Sequence, residues 1–144
     1  MTRVYADMVA DLFHHGHVAF LRAARDLGDL LVVGVHSDET VASYKRPPVL
    51  TMAERIAVVE SCRYVDEVVP DAPLRVTEEW IARHHIDLVV HGDDMDEEML
   101  DWLYAVPKRL GMFRTVAYTR GISTSVIVDR IARRLEADSP SRRD

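Results

Sequence analysis

Asp11-Leu12-Phe13-His14-His15-Gly16-His17 is the stretch on which the reading of this chain turns. It follows an apolar run, Val4 to Val9, interrupted only by Asp7. After it, Val18, Phe20, Leu21 and Ala24 recur at helical spacing from Gly16 to Leu27, and Gly28 closes the pattern. The stretch is therefore a strand-to-helix junction. On a helix beginning near His14, residues three apart share a face, so His14 and His17 point into one site and His15 points elsewhere. Gly16 lacks a Cβ and lets the backbone come close to a ligand. A helix start also offers free N–H groups and a positive dipole end to a phosphate.

A second junction of the same kind lies near the other end of the chain. Gly121-Ile122-Ser123-Thr124-Ser125 gives a flexible glycine, an apolar anchor and then hydroxyls at a helix start. Alone it reads as an ordinary Ser/Thr cap, and capping is compatible with backbone N–H groups facing an anion. Taken with the histidine segment, it predicts two phosphate-binding helix starts facing one pocket. A zinc site is the weaker reading of the histidines, since neither a His-Glu-x-x-His pattern nor a cysteine pair completes it.

Working outward, strand and helix alternate. Leu30 to His36 reads as a continuous, two-sided buried strand. Val41 to Pro48 reads as a mobile polar loop carrying Lys45 and Arg46, and Met52 to Cys62 as a helix with Thr51 and Glu54 as its capping box. Strands follow at Val65 to Val69, Asp87 to His91 and Phe113 to Tyr118. Helices are expected at Thr77 to His84, at Glu97 to Leu110 with a kink or break at Pro107, and at Thr124 to Leu135. The pattern predicts an α/β fold: a parallel sheet with helices on both faces. Ligands of such sheets sit beyond the carboxyl ends of the strands, and His14, His36, Lys45, Asp93 and Gly121 all follow strands.

The chain has 144 residues, 48% hydrophobic and 29% charged, which suits one folded domain over 1–135 and a polar, frayed tail over 136–144. A formal net charge of -6 argues against nucleic acid or an anionic membrane as main partner. It leaves room for a nucleotide in a locally positive pocket. Cys62 is the single cysteine, so no disulfide framework is expected. With no secretory pattern at Met1-Thr2-Arg3 and no apolar run long enough for a bilayer, the expected setting is cytoplasmic.

The loop cation Lys45 can close over phosphates and neutralise charge in a transition state. Gly92-Asp93-Asp94 suits ribose hydroxyls, a base amino group or Mg²⁺, and is also a common turn. Asp11 can orient an imidazole or bind a metal, and Asp7 is an inward-facing polar residue near the substrate. His84 and His85 end a helix, where its dipole favours them.

In these residues the chain resembles the cytidylyltransferases, specifically the ethanolamine-phosphate, choline-phosphate and glycerol-3-phosphate members. Leu30 to Glu39, Lys45-Arg46-Pro47-Pro48-Val49 with Glu54-Arg55, Arg63 to Val69 and Val90 to Asp94 carry the likeness beyond the two junctions, over roughly Val4 to Leu135. The resemblance implies a Rossmann-like nucleotidyltransferase fold, usually a homodimer, that binds CTP with Mg²⁺ and passes CMP to a small phosphorylated alcohol or a phosphonate. Carried over by position, His14, His17 and Lys45 are catalytic. Val9, Ala10, Asp11, Gly16, Arg63, Gly92, Asp94, Arg120, Gly121, Ile122, Ser123 and Thr124 surround the nucleotide. Asp7, His36 and Tyr118 face the second substrate, and Asp11 is a candidate metal ligand. Three positions depart from the family: Met8 replaces a glycine, Ala10 an aromatic residue and Tyr118 an arginine. An ATP-dependent adenylyltransferase of the pantetheine-phosphate type and a catalytically weak nucleotide sensor are the alternatives.

Overall fold

The first apolar run becomes the centre of a sheet. The computed structural model describes residues 1–138. In chain order its elements are β1 (Arg3–Met8), α1 (His15–Arg25), β2 (Leu30–Val35), α2 (Asp38–Ala42), α3 (Met52–Glu60), β3 (Glu67–Pro70), α4 (Glu78–Arg83), β4 (Leu88–Gly92), α5 (Glu97–Leu103), α6 (Ala105–Arg109), β5 (Phe113–Val116) and α7 (Thr124–Ala137). The strands lie in the order β3-β2-β1-β4-β5, and every neighbouring pair is parallel.

Val4, Ala6, Leu31, Val33 and Val35 form one apolar face with Leu21, Ala24 and Val59, from α1 and α3. Tyr5, Val32 and Val89 form the other with Ile81, Leu100, Leu103 and Tyr104, from the α4–α6 side. Residues of β1 and β2 are buried on both faces, which explains their continuous apolar runs.

This strand order fixes the place of a ligand. The chain winds outward from β1 to β3, crosses back, and lays β4 on the other side of β1, so the direction reverses between β1 and β4. Their paired register is Val4↔Leu88 and Tyr5↔Val89, whereas β1 pairs with β2 as far as Met8↔Val35. Beyond Tyr5 and Val89 the two strands part, and a crevice opens at their carboxyl ends.

Besides shifts of one or two residues at other element ends, such as β3 beginning at Glu67 where Val65 was expected, four expectations change in detail. The segment after β2 carries α2 before the loop, with Ser37 accepting from the Thr40 amide as its cap. The expected helix over 97–110 breaks at Tyr104, not at Pro107. Pro107 falls in the first turn of α6, where its missing N–H costs little. The last helix runs to Ala137, two residues past the expected end, and residues 139–144 of the expected tail lie outside the described residues. The last strand ends at Val116 rather than Tyr118. No helix among the described residues is long and apolar enough to cross a membrane.

Candidate active site

The crevice between β1 and β4 widens into a pocket of about 920 Å³. At one side the chain leaves β1 through Ala10, Asp11 and Leu12. Ala10 (φ 59°) and Leu12 (φ 48°) both adopt left-handed backbone, a conformation that costs non-glycine residues roughly 1–3 kcal/mol each. Bonds from distant parts of the chain hold this bend. Asp11 Oδ2 accepts from the Val49 amide at 2.8 Å and Oδ1 from the Leu50 amide at 2.9 Å. The Thr124 hydroxyl donates to the Asp11 carbonyl at 2.8 Å.

His14 then caps α1. Its Nδ1 accepts from the Gly16 amide at 3.1 Å, while its own amide donates to His17 Nδ1 at 3.0 Å. This is a capping box made of imidazoles. Each Nδ1 is an acceptor, so in the neutral ring the proton sits on Nε2 and becomes the donor available to the pocket. The two rings lie 3.9 Å apart between centroids, and Phe13 stacks on His17. Burial, then the neighbouring His14, pushes the His17 pKa down to about 4; burial and His15 lower that of His14. Both are neutral hydrogen-bond donors at physiological pH. His15 faces the outer side of α1 instead, beside Arg22 and Tyr64.

The late junction meets this one directly. A Cβ on Gly16 would stand 2.9 Å from His14 Cε1 and 3.0 Å from Ile122 Cγ2, so the glycine is what lets the two helix starts close on each other. Gly121 supplies the left-handed turn (φ 85°) before α7. Ser123 Oγ accepts from the Val126 amide at 3.1 Å, which leaves the first amides of α7 without a helical partner. Ser123, Thr124 and Ser125 line the pocket opposite His14 and His17.

The third wall is the segment after α2. Lys45 and Arg46 line the pocket there. Burial lowers the Lys45 pKa, and the Asp11 carboxylate partly opposes that shift. This segment, expected to be mobile, is anchored at both ends: the Tyr44 and Lys45 amides donate to the Val41 carbonyl, and Asp11 holds Val49 and Leu50.

The far end of the pocket has a buried carboxylate at its floor. The Tyr104 hydroxyl donates to Asp7 Oδ1 at 2.6 Å and lies 2.9 Å from His91 Nδ1, whose N–H it accepts. His36 Nδ1 donates to the Ala72 carbonyl at 3.0 Å, and its Nε2 faces Asp7 Oδ2 at 3.6 Å. Tyr44, Leu74, Met99 and Trp102 add an aromatic and apolar wall. The Tyr44 hydroxyl pKa is raised, by burial first and by Asp7 second.

Asp7, Val9, Ala10, Asp11, His14, Gly16, His17, His36, Lys45, Gly92, Asp94, Tyr118, Ser123 and Thr124 therefore line one cavity. Gly121 and Ile122 act from behind, through the turn and the Gly16 contact. Arg63 and Arg120, expected near the nucleotide, are exposed and lie outside the pocket. Asp11, a candidate metal ligand, has both carboxylate oxygens engaged by backbone amides. Of the departures, Met8 lines the cavity, Ala10 is buried in the strained bend, and Tyr118 donates from its hydroxyl to the Ile122 carbonyl and from its amide to Asp93. Tyr118 thus closes the turn that leads into α7.

Several functional residues escaped the sequence reading. Arg55, fully buried, donates to the Val9 carbonyl at 2.6 Å, the Leu50 carbonyl at 3.1 Å and Asp38 at 2.7 Å, binding the end of β1 to the loop and to α2. Its place in the likeness around Glu54-Arg55 was a signal of position only. Tyr104 and His91 complete the Asp7 network. For Tyr104, the available signal was Pro107, which told of a break nearby but not of the contact with Asp7.

Comparison with known proteins agrees with this geometry. A family model described as cytidylyltransferase-like matches residues 6–130. The ethanolamine-phosphate cytidylyltransferase of Dictyostelium discoideum is 44% identical over 131 residues, covering 90% of this chain and 36% of that protein. The choline-phosphate cytidylyltransferase A of Rattus norvegicus is 46% identical over 134 residues, covering 91% and 36% respectively. The chain thus spans about a third of the length of these curated relatives. Among solved structures, the lipopolysaccharide core biosynthesis protein of Thermoplasma volcanium superposes with a TM-score of 0.66 at 27% identity, covering 83% of this chain and 97% of that one. A pantothenate synthetase of Thermus thermophilus, at 15% identity and a TM-score of 0.58, covers 99% of this chain and 64% of its own and shares the fold alone.

Proposed function

Starting from a chain that belongs to the cytidylyltransferase-like family, we propose that it transfers CMP from CTP to a small phosphorylated amino alcohol and releases pyrophosphate. The observation that carries this reading is the imidazole pair. His14 and His17 are neutral, fixed by backbone amides through Nδ1, and leave two Nε2–H donors between two helix starts. That arrangement suits phosphate oxygens whose charge grows during transfer.

An oxygen of the acceptor's phosphate attacks the α-phosphorus of CTP. A new P–O bond forms, the bond from the α-phosphorus to the bridging oxygen breaks, and that oxygen leaves with pyrophosphate. His14 and His17 hydrogen-bond the α- and β-phosphates, Lys45 offsets the developing charge, and the first amides of α7 receive the remaining oxygens. Gly92 and Asp94 face the nucleoside. Mg²⁺ belongs to this reading as a companion of the triphosphate. The described residues bring no group of three metal-ligating side chains together, and Asp11 is engaged by amides, so no step is assigned to the metal. A homodimer and a cytoplasmic setting are further parts of the proposal.

The relatives' names favour ethanolamine phosphate or choline phosphate as acceptor. The Asp7 carboxylate beside an aromatic and apolar wall is consistent with the cationic end of either, and offers nothing to a hydroxyalkyl phosphonate without an amine. The test is Mg²⁺-dependent pyrophosphate release with CTP or ATP across phospho-amino-alcohols and phosphonates. Release with CTP and ethanolamine phosphate or choline phosphate is expected. Release with ATP alone would move the chain to adenylyl transfer, and tight nucleotide binding without release would make it a sensor; either result overturns the proposal.

A further inference from the structure

Charge balance in the pocket points to one more residue. A nucleoside triphosphate brings several negative charges, and the cavity already contains the carboxylates of Asp7, Asp11 and Asp94. Against them the imidazoles of His14 and His17 contribute donors rather than charge, because burial holds both neutral. Lys45 is a cation whose charge burial disfavours. Neither Arg63 nor Arg120 reaches the cavity, and position 118 carries a tyrosine. Among the described residues, the one guanidinium that lines the pocket is that of Arg46.

Three features single it out. Arg3, Arg25, Arg55, Arg83 and Arg109 each face a carboxylate; among the described residues Arg46 has no such partner, and unlike Arg63 and Arg120, which also face none, it lines the cavity. Its backbone is constrained on both sides: Lys45 before it is tied to the Val41 carbonyl, and Pro47-Pro48 after it lead into the two amides held by Asp11. A residue that precedes proline is also confined to extended backbone. Finally, a guanidinium cannot be discharged by burial and presents a fork of donors matched to phosphate oxygens.

We propose that Arg46 grips the β,γ-phosphates of the bound nucleotide, so that it selects triphosphate over monophosphate and supports pyrophosphate as it leaves. This rests on the nucleotidyltransferase reading above. The residue acts beside Lys45, its neighbour on the same wall of the pocket, to which the α-phosphate is left.

The test is calorimetric binding of CTP and of CMP, with Mg²⁺, to the intact wild-type protein and to Arg46→Gln and Arg46→Lys, alongside steady-state kinetics. Arg46→Gln is expected to weaken CTP roughly tenfold or more, the loss of one hydrogen bond to a charged group. CMP binding and the KM for ethanolamine phosphate stay unchanged, and Arg46→Lys recovers part of the loss. Unchanged CTP binding in Arg46→Gln overturns the inference. So does an equal loss for CTP and CMP, which marks a structural role, or a rise confined to the acceptor's KM. Failure of the wild-type protein to bind CTP would instead sink the nucleotidyltransferase reading itself.

Discussion

Replacing Arg55 with methionine tests whether the site is organised from beneath. The side chain is fully buried and reaches the Val9 carbonyl, the Leu50 carbonyl and Asp38. Asp38 keeps 43% of its side chain exposed and can return to water, so its share of the loss is small. The two carbonyls lose a charged donor, at roughly 1.5–3 kcal/mol each. The expected cost is therefore on the order of 3–6 kcal/mol, a large part of the ~5–15 kcal/mol that holds a domain together. With a urea dependence of about 2 kcal/mol per molar, the unfolding midpoint falls by roughly 2 M. Arg55→Lys keeps the charge without the planar fork and should fall between the two. Urea denaturation followed by circular dichroism reads the midpoints, and pyrophosphate release reads the site. Turnover should drop even where the variant is fully folded, because the Val9 carbonyl fixes the chain just before the strained Ala10. A midpoint for Arg55→Met within about 0.3 M of wild type, less than a single hydrogen bond would cost, refutes the reasoning.

Three further outcomes follow from the same geometry. His17→Ala should lower kcat about 10²–10³-fold. It removes one arm of the α1 capping box, so its stability cost is only about 1 kcal/mol, which denaturation checks. Because the native His17 pKa is near 4 and the unfolded one near 6.5, the unfolded chain binds the proton first as pH falls. Above about pH 6.5 the effect is absent; below it stability falls progressively, by about 2 kcal/mol at pH 5 relative to neutral pH. Urea midpoints at pH 7 and pH 5 should show the fall, and His17→Asn should flatten it. Asp7→Asn should raise the KM for ethanolamine phosphate about tenfold, by removing the charge at the pocket floor, with the KM for CTP unchanged; a shift in the CTP value instead would contradict the placement of Asp7.

Much of the fold was legible because its two periodicities are distinct. Two-sided strands such as Leu30–Val35 read as continuous apolar runs, and α1 read as a stripe, so alternation alone gave the parallel sheet. What stayed hidden was decided by partners far along the chain. The break at Tyr104 lies just after Leu103, whose carbonyl the ring of Pro107 excludes. That it brings the Tyr104 hydroxyl to Asp7, 97 residues away, no local propensity encodes. The five residues of α2 are too few for a periodic signal, and their Ser37 cap read as the exit of a strand. The positions of Arg63 and Arg120 were carried by resemblance, yet resemblance fixes a backbone position and not the direction of an exposed side chain. His14 and His17 were legible as a pair, although the structure joins them through a capping box, with His14 the extended residue just before α1, and not as two residues on one helical face.

The bend after β1 shows why the pocket depends on so many separate segments. Left-handed Ala10 and Leu12 are unfavourable alone, and neither is a glycine that would adopt this backbone freely. The bend persists because Asp11 between them faces two ways: its carboxylate takes the Val49 and Leu50 amides, and its carbonyl takes the Thr124 hydroxyl, 113 residues distant. Arg55 secures the residue before the bend and the residue that Asp11 holds. The imidazole pair, the loop cations and the late helix start are thus registered to one another through a single buried carboxylate and a single buried guanidinium. Neither of these needs to touch the reacting phosphorus. The side chains expected to touch substrate are set by a frame whose own charges are already satisfied by the protein, which leaves Lys45 and Arg46, among the described residues, as the lysine and arginine of the pocket for an incoming anion.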